Sequence, residues 1–152
     1  VRYRLVAVGS LKRGPLAGAA ERYERLLAAL APLEVIEVKD SSSLGAEAAR
    51  SRHGIESLRH ADGHLLALDE RGDQLTTAQL AERVTRLELS GVSRLTLFLG
   101  GPDGHGPELR AAVHGSLALS RLTLPHDLAR VVLLEQLYRV EALRAGHPYH
   151  RA

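Results

Sequence analysis

The sequence predicts an α/β fold, a mostly parallel sheet covered by helices, and three observations lead there. Short apolar runs alternate with amphipathic stretches from one end of the chain to the other, as repeated strand–helix units require. A composition of 45% hydrophobic and 25% charged residues is that of a chain that folds. Its 152 residues, without a repeat or a long linker, suit a single domain spanning 1–152.

The elements follow in order. Strands are expected at Tyr3 to Val8, Leu33 to Val38, His64 to Leu68, Leu95 to Leu99 and Leu117 to Leu122. Helices are expected at Pro15 to Ala31, Ala46 to Arg59, Thr77 to Ser90 and Pro107 to His114. Thr76 followed by Gln79 reads as a capping box, in which two side chains satisfy free amides at a helix start. A last helix, Asp127 to Ala145, carries Leu128, Val131, Val132, Leu133, Leu134, Leu137, Val140 and Leu143 around most of its circumference. Either the rest of the chain covers that helix on several sides, or a second copy does. The run Asp40 to Gly45 reads as a loop between strand and helix.

The formal net charge is +2, unevenly spread. Residues 1–30 carry +4, residues 31–120 carry −4 and residues 121–152 carry +2. Two basic ends that met in the fold would suit a phosphate backbone, although a solvated mixture of charges explains the same count. The absence of cysteine excludes disulfides and thiolate zinc sites and favours a reducing, cytoplasmic setting. No run is long enough to span a bilayer, and the opening VRYRLVAVGS is too quickly polar for a signal peptide.

Ligands of open parallel sheets bind beyond the carboxyl ends of the strands. Three segments fall there: Leu68-Asp69-Glu70-Arg71-Gly72, the glycine loop Gly100 to Pro107 (GGPDGHGP), and Leu122 to Asp127 (LTLPHD). Glycines at 100, 101, 104 and 106 permit positive φ and close approach to a ligand, and free amides there could hold an anion or a base edge. The spacing is neither GxGxxG nor a triphosphate-binding loop. In the third segment Pro125 ends the strand and Asp127 can cap the next helix, which leaves His126 without a structural duty. The ending RAGHPYHRA has Gly146 as a helix stop and brings together His147, Tyr149, His150 and Arg151. A stacking ring, titratable imidazoles and a phosphate-binding guanidinium suit an RNA site. Two histidines without cysteine or an acidic cluster do not make a metal site, and none is expected.

Three ordered segments go further: FLGGPDG, LALSRLTLPHDLARVVLLEQLYR and HPYHR resemble the ribosomal RNA large-subunit methyltransferase H family of SPOUT methyltransferases. RLVAVGSLKRG and ALDERG resemble the family's opening and central segments, so the likeness runs nearly end to end. The resemblance implies a SPOUT α/β-knot, with the trefoil knot and tail in about residues 95–152, and a homodimer whose active sites lie at the subunit interface. It implies S-adenosyl-L-methionine as methyl donor and, as substrate, N3 of a pseudouridine of 23S rRNA in the ribosome or large subunit. Leu68, Gly101, Ser120, Arg121, Leu122, Thr123, Leu124 and Pro125 match the family's cofactor-binding positions. In the matching tail, His150 is the candidate for proton handling and Tyr149 for stacking on the base. Arg139 and Arg151 would hold phosphate or offset negative charge.

Asp103 stands where the family pattern has glutamate, which leaves the role of that carboxylate open. The segment Ser41 to His60 matches little of the family, and is expected to bear on RNA contacts without touching the cofactor site. Two other readings use the same fold: a ribosome-binding or assembly module without cofactor, which a broken cofactor loop would betray, and a SPOUT enzyme acting on tRNA.

Overall fold

A computed structural model describes residues 1–147. Five parallel strands, β1 (Arg2–Val8), β2 (Leu33–Val38), β3 (His64–Gln74), β4 (Arg94–Leu99) and β5 (Gly115–Ala118), form one sheet in the order β2-β1-β4-β3-β5. The helices are α1 (Ala17–Ala28), α2 (Ala46–Leu58), α3 (Thr77–Leu89), α4 (Pro107–Ala112) and α5 (His126–Arg144), with one 3-10 turn at Ser42–Leu44.

Side chains alternate across the strands, so each strand feeds two cores. Tyr3, Leu5, Leu66, Leu95, Leu97 and Leu117 pack with α1, α3 and α5 on one face. Val6, Val38, Leu65 and Phe98 pack with Leu109 of α4 and Leu58 of α2 on the other. The sheet is thus sandwiched between helices, as the alternating pattern requires.

Local signals explain several boundaries. The capping box at α3 forms in both directions: the Gln79 amide donates to Thr76 Oγ1 at 3.1 Å, and the Thr76 amide donates to Gln79 Oε1 at 2.9 Å. Gly146, at φ +70°, ends α5; its amide donates to Leu143 O and the His147 amide to Ala142 O, which together satisfy two of the last carbonyls.

The structure departs from expectation in three places, and at the last helix it bears on two alternatives that the sequence left open. β3 does not stop at Leu68: Asp69 to Gly72 bulge out, and pairing resumes where Asp73 and Gln74 meet Leu117 and Ala118. β5 ends at Ala118 instead of Leu122, and Leu122 is left 76% exposed. Asp127 does not cap α5; Pro125 occupies the cap position, and the Asp127 carboxylate accepts from the Leu128 amide inside the first turn, where a negative charge also favours the helix dipole. Finally, Leu133, Leu134, Leu137 and Val140 are fully buried by the sheet, α1 and α3, so the apolar circumference of α5 is largely covered within one chain.

Candidate active site

The carboxyl ends of β3, β4 and β5 open into a cleft of about 330 Å³, within the range of small-molecule sites. Its apolar surface comes from Leu68, Leu99, Leu117, Leu119, Leu122 and Leu124, and its polar edge from Ser120, Thr123 and the glycine loop 100–106. Asp69, Glu70 and Asp103 supply carboxylates, and His126 and Ala129 bring the first turn of α5 to the same space.

The glycine loop folds on itself. The Gly104 amide donates to Gly101 O at 3.0 Å, closing a turn over Pro102 and Asp103. Of the four glycines that permit positive φ, only Gly104 uses it, at +78°. Gly106 is required for a different reason: a Cβ there would stand 2.9 Å from the Arg50 carbonyl group, so α2 and the loop approach at backbone distance. The loop is also tied to β3, because His105 Nε2 lies 2.9 Å from Leu68 O, the geometry of a neutral ring donating to that carbonyl. Burial holds the His105 imidazole below its ordinary value, which favours that neutral form.

The opposite wall is built from the β3 bulge and the segment leaving β5. Thr123 Oγ1 donates to Glu70 Oε2 at 2.9 Å, and Arg121 Nε donates to Gln74 Oε1 at 2.9 Å. Asp69 pairs with Arg110 at the start of the glycine-loop side. Burial works to raise the Asp69 carboxyl, but the Arg71 amide and the Arg110 guanidinium outweigh it and keep the group below its usual range, hence ionised.

Beneath the cleft, Arg130 of α5 is 4% exposed and fastens three elements. Its Nη1 donates to Glu37 Oε2 of β2 at 2.8 Å and its Nη2 to Gly9 O, beyond β1, at 2.9 Å. The first turn of α5, with His126, is thereby fixed against the ends of β1 and β2.

The structure brings together Leu68, Gly101, Ser120, Leu122, Thr123 and Leu124 as lining residues of the one cleft. Arg121 turns along its outer edge onto Gln74, and Pro125 begins α5. Arg139 does not line the cleft; it pairs with Glu135 one turn back along α5, at 2.6 Å. Tyr149, His150 and Arg151 lie outside the described residues.

A family model described as "Predicted SPOUT methyltransferase" matches residues 1–150. The chain belongs to the SPOUT methyltransferase family. Among its relatives are proteins named "Ribosomal RNA large subunit methyltransferase H". The one from Verminephrobacter eiseniae is 44% identical over 151 residues, covering 97% of each chain. The one from Brucella anthropi is 39% identical over 160 residues, covering 100% of both. That from Anaeromyxobacter sp. (strain K) is 40% identical and covers 99% of this chain and 100% of its own. Among solved structures, "a probable methylase family protein from Haemophilus influenzae" superposes with a TM-score of 0.52 at 14% identity, covering 95% of this chain and 66% of that one, a likeness of fold.

In this SPOUT chain the segment Ser41 to His60 lines none of the cleft, but it packs against the loop that does. His53 of α2, 3% exposed, packs directly under Gly101, and Arg50 packs under Gly106. The sequence held one faint signal for this, the stripe Ala49, His53, Ser57 at helical spacing, all of it buried. Among the described residues no helix is long and apolar enough to cross a membrane, and no group of three or more acidic or histidine side chains could hold a metal ion.

Proposed function

We propose that the chain, as one SPOUT domain, transfers a methyl group from S-adenosyl-L-methionine to N3 of a pseudouridine of 23S rRNA in the assembled ribosome or large subunit, in the cytoplasm. The observation that carries this reading is a convergence: two separate motifs that carry the family resemblance, the glycine loop and residues 120–124, line the same cleft.

The cleft suits the cofactor chemically. Leucines on several sides accept an adenine ring and a methionine stem, while the amides of the glycine loop and the Ser120 and Thr123 hydroxyls can meet polar edges. The carboxylates of Asp69, Glu70 and Asp103 outnumber the guanidiniums of Arg71 and Arg110 around the cleft, a balance that favours a ligand bearing ammonium and sulfonium charges. Leu68, Gly101, Ser120, Leu122, Thr123 and Leu124 would hold it; the bound group supplies an activated methyl for in-line displacement. Since such a methyl is already attached to a good leaving group, the protein's task is positioning and removal of the imide proton.

In the tail that resembles the family, His150 is the candidate for proton handling and Tyr149 for stacking on the base, while Arg151 and Arg139 of α5 would hold phosphate or offset negative charge. Arg139 lies thirteen positions beyond His126, which at helical rise puts it about 20 Å from the cleft mouth along the axis. It cannot serve its own cleft at that separation. A homodimer with shared active sites, and a C-terminal segment knotted through the fold, gives Arg139 a cleft to serve, that of the other copy. Exposed Leu122 and Leu128 beside the cleft are compatible with such an interface.

The test is methyl transfer from labelled S-adenosylmethionine to ribosomes lacking the modification, with the product mapped by mass spectrometry. A methyl at N3 of one pseudouridine is expected, with protein-free 23S rRNA a poor substrate. No transfer from a cofactor-binding protein would overturn the substrate assignment. Full single-turnover methylation after both His150→Ala and Arg139→Ala would overturn the catalytic one.

A further inference from the structure

His53 is the buried polar group that nothing above uses. Its Nε2 accepts the Ser41 amide at 2.8 Å, so that nitrogen carries no proton, and the neutral ring must carry it on Nδ1. That Nδ1 is buried and has no hydrogen-bond partner among the described residues. Buried donors are nearly always satisfied, and an orphan calls for an explanation.

Its surroundings supply one. A Cβ placed on Gly101 would stand 3.3 Å from His53 Cε1 and 3.5 Å from Nδ1, so the ring lies against the turn of the glycine loop. A gap of about 10 Å³ remains there, lined by His53, Ser57, Gly100, Gly104 and His105. The unpaired N–H therefore faces the backbone of the loop that lines the cleft on its other side. The backbone of Gly100 to Gly104 carries carbonyls, the type of acceptor that such a donor takes. The Ser41 amide holds the ring from the far side.

We propose that His53 is a positioning residue for the cofactor loop: its Nδ1–H takes a carbonyl of Gly100–Gly104 when the cleft is occupied, and so stabilises the ligand-bound loop. The inference rests on the cofactor reading above. It makes the Asp40–Ser43 turn and α2 part of the binding apparatus, although neither touches the cleft. The orphan donor disfavours the empty arrangement, and its satisfaction favours the occupied one, by an amount that should appear as about tenfold in ligand affinity.

Two substitutions separate the ring's nitrogens. His53→Asn keeps an amide donor near the Nδ1 position and loses the acceptor for Ser41. His53→Gln keeps an acceptor near the Nε2 position and loses the donor toward the loop. The measurements are calorimetric affinity for S-adenosylmethionine and the protection of residues 100–106 from hydrogen exchange gained on adding it, with thermal unfolding to show that both variants are folded. Expected are near wild-type affinity and protection for the Asn variant, and roughly tenfold weaker binding with lost protection for the Gln variant. Wild-type behaviour of the Gln variant, or equal weakening in both, would overturn the proposal, the second because a ring that only fills space does not distinguish its nitrogens. If the wild-type protein itself binds no S-adenosylmethionine, the cofactor reading falls and this inference falls with it, an outcome distinct from binding that is indifferent to His53.

Discussion

The two walls of the cleft are built on different principles. The glycine-loop wall rests on a buried floor: Gly106 against the Arg50 backbone, Gly101 against Val8 and His53, and the end of β1 locked to α5 through Arg130. In the facing wall Gly72, at the base of the β3 bulge, also meets β5 at backbone distance, but the upper part, Glu70 with residues 120–124, is joined by side-chain bonds near solvent, Thr123 to Glu70 and Arg121 to Gln74. Close-packed backbone resists displacement, whereas exposed polar bonds exchange readily with water. The difference teaches where a ligand can enter: the floor leaves the glycine loop only the small adjustment that would bring a carbonyl onto His53, and the upper facing wall yields.

The sharpest way to break the contrast is to cut the floor at Arg130. Arg130→Ala takes the guanidinium from the Gly9 carbonyl and from the Glu37 carboxylate, which keeps only the Leu11 amide as a backbone donor, and loss of one member of a buried pair costs several kcal/mol. Glu37 is partly exposed, so we expect about 3 kcal/mol, read by urea unfolding. A loss below about 1 kcal/mol would mean that α5 holds the floor without this residue. The same pair sets an acid limit. Burial tends to raise the Glu37 carboxyl, but the Arg130 bond and the Leu11 amide outweigh it and leave it below its ordinary value. A depressed carboxyl contributes stability that is present above its unfolded pKa and is lost as pH falls through the folded one.

Next in size is Gly106→Ala. The added methyl would meet Arg50 carbonyl atoms at 2.9 Å, and backbone cannot rotate out of the way as a side chain can. Overpacking of this kind costs about 2 kcal/mol, or a fall in Tm of roughly 5 °C for a chain of this length. An unchanged Tm would show that the loop has room to rise off α2 and that the floor is less rigid than its contacts imply.

How far these walls could be read in the sequence differs in the same way. The glycine loop and residues 120–125 stand out by composition and by family likeness, and both reach the cleft region. The bulge was hidden because Asp69-Glu70-Arg71-Gly72 reads as a turn; only pairing with β5 shows that the strand resumes at Asp73. β5 was overextended because LALSRL is apolar enough to continue, yet Ser120 and Leu122 leave the sheet for the cleft. His53 was illegible for a third reason: it lies mid-helix without a motif, and its importance comes from Gly101, 48 positions away in the sequence and adjacent only in the fold. Local patterns report faces and turns, but not which loop a buried side chain will support.

A smaller effect is expected at the bond joining the two walls, His105 to Leu68. Because burial depresses the His105 imidazole, the unfolded chain takes up a proton more readily than the folded one. Stability should be full above the unfolded histidine value of about 6.5 and decline as pH falls from there toward the lower folded one. His64, depressed by burial and by the stacked His114, contributes in the same direction. His105→Gln, which retains a donor for Leu68 O, should shed part of the decline measured by thermal unfolding between pH 7 and pH 5. An identical slope in the variant would place the acid sensitivity elsewhere.

The smallest stability effect, and the one most informative about function, belongs to Thr123→Val. Removing an exposed hydroxyl bond to Glu70 should cost less than about 0.5 kcal/mol, because water replaces the partner. If the facing wall is the one that moves, its bonds set the balance between open and closed cleft, so the same change should alter association and dissociation rates for S-adenosylmethionine several-fold while leaving Tm nearly untouched. Stopped-flow binding separates the two outcomes. Faster entry and exit at unchanged stability is what a yielding wall requires; unaltered rates would mean that the Thr123–Glu70 bond is decoration on a wall as fixed as the floor, and that ligand reaches the cleft by another route.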